Sequence, residues 1–289
     1  MLTQATNSEP RMDNTNARIT LVSYARGTTF EHSLEGMRNF AASFADEILL
    51  WTDEQLRADP LYQAHLARFR VLDDLSTRVK HGRHRPYCTA FKPLMMLRAI
   101  SQRKSSRDYV LWADASQYHN MSLHGNVRAA VRRLDGQSAY GLVHCSERCS
   151  TENPYLSQMS LIRRSTVDAY VGLLGWSRKV RDEIYAHRGL LATNLLWAST
   201  DANRRLAEMW LQMALRSPRA FCDSHTQDQA ALTILAVNLS LSMLDPCLRM
   251  GLAERQGAQW PNGKCFDQEK NLDFMLDAIA TGAYDVRVA

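Results

Sequence analysis

The sequence predicts an α/β domain with a mostly parallel, Rossmann-like sheet flanked by helices. Three observations lead there. Apolar runs of strand length recur between stretches whose apolar residues fall at helical spacing. The first two runs are separated by a single helix, which makes a parallel crossover unit. A third run, Tyr109-Val110-Leu111-Trp112, leads to Asp114-Ala115-Ser116, and open α/β sheets bind ligands outside the carboxyl ends of their strands.

In chain order, residues 1–17 are rich in Asn, Thr and Gln and read as a flexible tail, leaving residues 18–289 as one domain. Ile19 to Tyr24 reads as the first strand, with Ala25-Arg26-Gly27-Thr28-Thr29 as the loop at its carboxyl end. Leu34, Met37, Phe40, Ala41 and Phe44 then mark one face of a helix over about Glu31 to Ala45, and Glu47 to Trp51 reads as the second strand. The polar stretch Thr52 to Arg85 is expected to be partly helical, with Leu61, His65, Phe69 and Leu72 on one face. It closes on the basic loop His81 to Pro86.

Pro93 suits the first turn of the next helix, where its missing donor is harmless, and Leu94, Leu97 and Ile100 form that helix's buried stripe. Beyond the Asp114 strand come a helix near Val127 to Leu134, a strand from Ser138 to Val143 and an irregular loop over Cys145 to Gln158. The strand-like Leu195 to Ala198 follows. Amphipathic helices are expected over Ala202 to Leu215, Asp228 to Leu239 and Asp267 to Ala280.

Composition narrows the function classes. Hydrophobic residues make up 45% of the chain, enough for a sizeable core, yet no apolar run is long enough for a membrane span, and the polar N-terminus is no secretion signal. A cytoplasmic location is the expectation. The net charge of +5 suits an anionic ligand, but short basic runs without interleaved aromatics argue against a nucleic-acid interface. Six irregularly spaced cysteines are expected to be reduced rather than a disulfide framework. His144, Cys145 and Cys149, or His81 with His84, lack the paired Cys-x-x-Cys partner that a structural zinc wants. Met209, Trp210 and Met213 read as core, while Trp176, Trp197 and Trp260 include possible sugar-stacking platforms with nothing to select one.

Several short motifs share an order. Tyr24 and Gly27 follow the first strand; Phe91-Lys92-Pro93 precedes the Tyr109 to Ala115 strand end; His225-Thr226-Gln227-Asp228-Gln229 comes later. This set resembles the GT-A-type nucleotide-diphospho-sugar glycosyltransferases. The closest resemblance is to a poorly characterised group with Trp-Lys-Pro, Tyr-x-Asp-Ala and His-x-x-Asp-Gln motifs, and it covers Ile19 to Asn238.

The resemblance implies a GT-A fold and transfer of a sugar from a nucleotide-diphosphate donor to a glycan or other hydroxyl acceptor. It also implies Mn2+ or Mg2+ on the diphosphate, because the leaving group's charge must be neutralised and hard oxygen ligands hold such ions. Asp114 takes the place of the family's acidic motif, with Ser116 where a second carboxylate often sits, so these two are the metal candidates. Metal-free catalysis by cationic side chains stays open.

Tyr24, Arg26, Gly27, Lys92, Asp114, Ala115 and Ser116 are then the expected donor-binding residues, with His225 and Gln229 on the acceptor side. Lys92 either adds to a positive helix end that favours phosphate or is a solvated lysine. Arg26 either grips diphosphate in a fork or solvates its loop. Asp228 either orients the acceptor hydroxyl, acts as general base for inversion, or simply suits the first turn of its helix. His225 lines the pocket, ligates the metal or packs, and Asp223 is a further option. Asp114 itself has a plain alternative, a turn bonded to its own backbone. The missing second acid motivates a rival function: a catalytically inactive nucleotide-sugar-binding or scaffold protein on the same fold.

Overall fold

The computed structural model describes residues 16–26, 28–77, 88–103, 105, 107–115, 127–128, 131, 139–143, 164–186, 190–223 and 227–238. A five-stranded mixed sheet lies at the centre: β1 (Ile19–Tyr24), β2 (Glu47–Trp51), β3 (Tyr109–Ala113), β4 (Ala139–Val143) and β5 (Leu190–Ala198), in the order β2-β1-β3-β5-β4. β1 pairs in parallel with both β2 and β3, while β5 runs antiparallel to β3 and to β4. Four strands therefore share one direction and β5 alone is reversed. The α/β class and the β1–helix–β2 crossover stand as expected from sequence, with one antiparallel strand set into the otherwise parallel sheet.

The helices are α1 (Thr28–Ala41), α2 (Asp53–Ala58), α3 (Pro60–Ala64), α4 (Leu66–Thr77), α5 (Phe91–Ser101), α6 (Arg164–Leu174), α7 (Arg178–Ala186), α8 (Asp201–Arg216), α9 (Pro218–Asp223) and α10 (Gln227–Asn238). Both sheet faces are covered. Val22, Tyr24, Val110, Trp112, Leu195 and Trp197 face one core, built with α5, α8 and α10. Ile19, Leu21, Tyr109, Leu111, Leu196 and Ala198 face the other, with Met37, Phe40 and Ala41 of α1. Successive strand residues point to opposite faces, so burial on both sides requires the continuous apolar runs seen in the sequence.

Several boundaries move for identifiable reasons. Helix α1 begins at Thr28 and ends at Ala41; Phe44 lies in the turn beyond it, buried and edge-on to Phe40 with ring centroids 4.9 Å apart. The polar stretch after β2 breaks at Asp59-Pro60. Asp59 ends α2 and caps α3, its Oδ1 accepting the Leu61 and Tyr62 N–H groups at 2.8 and 3.1 Å, while Pro60 cannot donate back to α2. Its other oxygen accepts Arg98 Nε at 2.8 Å, fastening this turn to α5.

Strand β5 begins at Leu190, upstream of the Leu195 to Ala198 run. Helix α6 closes in a Schellman motif: Gly175, at φ 67°, donates to Gly172 O, and Trp176 donates to Val171 O. The helix expected over Val127 to Leu134 is described at Val127, Arg128 and Val131, where it is helical. The loop at Cys145 to Gln158 and the helix expected over Asp267 to Ala280 lie outside the described residues, as does most of the expected tail. Among the described residues no helix is long and apolar enough to cross a membrane.

Candidate active site

The chain reverses its direction of travel across the sheet between β1 and β3. From β1 it crosses to β2 on one side, then returns through α5 to β3 on the other. Such a switch point leaves a crevice at the carboxyl ends of the two strands, where open α/β sheets bind ligands. Ser23 Oγ ties the two ends together by donating to Ala113 O at 2.7 Å. Tyr24 and Arg26 leave β1 here, and Asp114 leaves β3 here.

Three charged side chains from separate motifs meet at this rim. Lys92 Nζ lies 3.0 Å from Asp114 Oδ1 and 2.6 Å from Asp228 Oδ2. It also donates to Ala192 O of β5 at 2.7 Å. Each element supplies its residue for a local reason. Lys92 stands in the first turn of α5, directly before Pro93. Asp114 shares a strand face with Trp112, two residues earlier, and Trp112 Nε1 donates to Asp114 Oδ1 at 2.8 Å. The same indole lies beneath the ammonium, 5.4 Å from Nζ to the ring centroid, within cation–π range. Asp228 stands in the first turn of α10, and its carbonyl accepts Trp210 Nε1 from α8 at 3.0 Å.

Exposure grades along this row. The Lys92 side chain is 5% exposed and that of Asp228 is 9%, while that of Asp114 is 31%. Asp114 is thus the end of the row that a ligand can reach. Lys92 is neither a solvated lysine nor an open helix-end cation, because its three ammonium hydrogens face three protein acceptors. Burial works against its charge, but the two carboxylates outweigh it and hold its pKa above the usual lysine value. Burial pushes the Asp114 carboxyl above its ordinary value, with Asp228 adding to the shift and Lys92 and the Trp112 indole opposing it. Asp114 Oδ1 takes the indole and the ammonium, and Oδ2 has no donor among the described residues; a turn bonded to its own backbone would run through residues 116 and beyond, outside the described residues.

The remaining candidates fall into three groups. Tyr24 and Arg26 lie at the rim but are engaged: Tyr24 Oη donates to Asp53 Oδ1 at 3.1 Å, and Arg26 lies 3.4 Å from Asp53 and 3.6 Å from Asp73. Ala115 and Gln229 are buried, Ala115 against Ala25 and Leu34 and Gln229 beside Asp228 at the start of α10. Gly27, Ser116 and His225 lie outside the described residues. Asp223 ends α9.

Sequence reasoning missed Asp53, Asp73, Trp112 and Trp210 as site-shaping residues. Only Trp112 carried a local signal, its two-residue spacing from Asp114. Among the described residues, no three His, Cys, Asp or Glu side chains gather as a metal-holding group. Of the row's carboxylate oxygens, Asp114 Oδ1 and Asp228 Oδ2 face Lys92, and Asp114 Oδ2 has no donor among the described residues.

No protein-family model matches the chain, and a search of curated proteins finds no match.

Proposed function

We propose that the protein is a glycosyltransferase that moves a sugar from a nucleotide-diphosphate donor to a hydroxyl acceptor, on a GT-A-type domain. The observation that carries this reading is the convergence of Lys92, Asp114 and Asp228 at the β1/β3 crevice, at 3.0 and 2.6 Å. These residues come from the three motifs whose order resembles that superfamily.

In this reading Asp114 faces the donor. A divalent ion, Mn2+ or Mg2+, would take Asp114 Oδ2 as its carboxylate ligand, with Ser116 the other residue the resemblance implies, since Mg2+ sites commonly use one or two carboxylates and take the rest from phosphates and water. When bound, the ion neutralises charge on the departing diphosphate. Lys92 holds the Asp114 carboxylate in place and balances its charge rather than gripping phosphate itself. Asp228 orients that ammonium, and its ion pair makes it better suited to positioning than to taking a proton. Arg26 reaches a diphosphate only by exchanging Asp53 and Asp73 for it. The resemblance assigns Gln229 and His225 to the hydroxyl acceptor.

A second reading, nucleotide-sugar binding without transfer, is favoured by the same saturation of Lys92 and Asp228 by protein groups. A panel of nucleotide sugars, with and without manganese, separates the alternatives. Thermal stabilisation by one donor together with release of its nucleoside diphosphate supports transfer. Stabilisation without release supports the binding protein, and no shift with any donor counts against both.

A further inference from the structure

We propose that Cys88 and Cys222 are a redox pair whose disulfide fastens the segment leading into Lys92 to the segment leading towards Asp228. Their Sγ atoms lie 4.0 Å apart, and both residues carry thiols. Both are buried, at 4% and 3% exposure, in the core beneath the site. Cys88 lies just before α5, where its N–H donates to Asp73 Oδ1 at 3.1 Å and its Sγ accepts the Ala90 N–H at 3.4 Å. Cys222 lies in α9, where its thiol reaches Leu72 O at 3.5 Å. A disulfide brings the sulfurs to about 2.05 Å, an approach of about 2 Å from their present separation.

Position gives the bond its meaning. Cys88 precedes Lys92 by four residues, and Cys222 lies in α9, the helix before α10, which carries Asp228. The 2.6 Å contact between Lys92 and Asp228 is therefore held from two segments that the disulfide would join. Asp73 accepts the Cys88 backbone N–H and pairs with Arg26, so the backbone at Cys88 also connects to the rim of the crevice. The proposal is independent of glycosyl transfer.

Hydrogen peroxide, small enough to reach sulfurs that a tripeptide disulfide cannot, supplies the oxidation. One cysteine thiolate attacks a peroxide oxygen, forming a sulfenic acid and releasing hydroxide, which takes up the proton lost by that thiol. The second cysteine thiolate attacks the sulfenic sulfur, forms the S–S bond and releases the hydroxyl as water with the second proton. Two cysteine thiols are oxidised to one disulfide, and one peroxide is reduced to two waters.

The test uses the full reduced chain, treated with hydrogen peroxide, quenched, unfolded and alkylated with N-ethylmaleimide, and digested without reduction for mass spectrometry. The expected result is a linked peptide joining Cys88 to Cys222. A melting midpoint about 5–10 °C above that of the reduced chain should accompany it, as expected for a bond closing a long loop. A phosphine reductant should reverse that shift, and Cys222→Ser should not show it. Recovery of both residues alkylated, oxidised to sulfinic acid or bonded to other cysteines overturns the proposal. So does an equal shift in Cys222→Ser. If that variant does not fold, the peptide map of the unsubstituted chain decides alone.

Discussion

Lys92 Nζ lies 2.6 Å from Asp228 Oδ2, although the two residues belong to opposite halves of the chain and to different helices. The ammonium completes its set with Asp114 Oδ1 and Ala192 O, so one buried cation ties α5, β3, β5 and α10 together at a single point. Removing one partner of a buried ion pair leaves an uncompensated charge.

Lys92→Met should therefore cost about 3–5 kcal/mol of stability, measured by urea unfolding. The double variant Lys92→Met, Asp228→Leu should recover part of that loss, because it removes the stranded carboxylate as well. A loss below about 1 kcal/mol in the single variant, the range of an exposed pair, would mean that the contact does not organise the site.

Asp114→Ala should behave differently. Lys92 keeps Asp228 and Ala192 O as partners, and Asp114 is the most exposed of the three, so the folded state should survive with a smaller loss than Lys92→Met. Turnover on the proposed donor should fall by about 100-fold or more, the usual scale for losing a group that stabilises developing charge. Circular dichroism and donor hydrolysis on the same preparation check both halves.

Asp59→Ala should destabilise the chain by roughly 2 kcal/mol, since it removes a helix cap and strands Arg98. The Asp59 carboxylate caps α3 through Leu61 and Tyr62 and holds Arg98 of α5 at 2.8 Å. Asp59→Asn keeps the capping oxygen and should lose less, which urea midpoints of the two variants would show.

Acid should weaken the edge of the sheet. The hydrogen bond from Arg103 lowers the Glu47 pKa below 4.5, with burial opposing. At Asp46 burial pushes upward, but the Arg128 guanidinium and the Ile19 N–H outweigh it and bring the pKa below 3.8. A carboxyl with a lowered folded pKa stabilises fully above its unfolded value, and that stabilisation is lost as pH falls through the folded value. The stability gap between the unsubstituted chain and Glu47→Gln should accordingly be widest near neutral pH. It should close as the pH drops below 4.5. A gap that stays constant to about pH 3 would remove Glu47 from the acid response.

The parts legible in the sequence were those fixed by local pattern. The short apolar run Tyr109 to Trp112 suits a buried strand, and the amphipathic pattern from Asp228 marks α10. Strand direction has no local signature. Nothing in Leu195 to Ala198 says that β5 runs against β3, because that depends on how the chain returns through α6 and α7. The site shows the same division. Asp114, Lys92 and Asp228 stood out as charges at element ends, whereas the burial of Lys92 depends on Trp112, Ala192 and Asp228 arriving from three directions. The Cys88 and Cys222 thiols, read from spacing alone, looked scattered; only the tertiary fold brings them to 4.0 Å.

Single-turnover release of nucleoside diphosphate from a panel of nucleotide sugars tests glycosyl transfer by this chain. It would be run with manganese on the unsubstituted chain and on Asp114→Asn, whose uncharged amide keeps the side chain's shape. Glycosyl transfer at this site requires release by the unsubstituted chain with at least one donor, and loss of that release in Asp114→Asn while the fold persists. Equal release by both proteins, or donor binding without release by either, would contradict it.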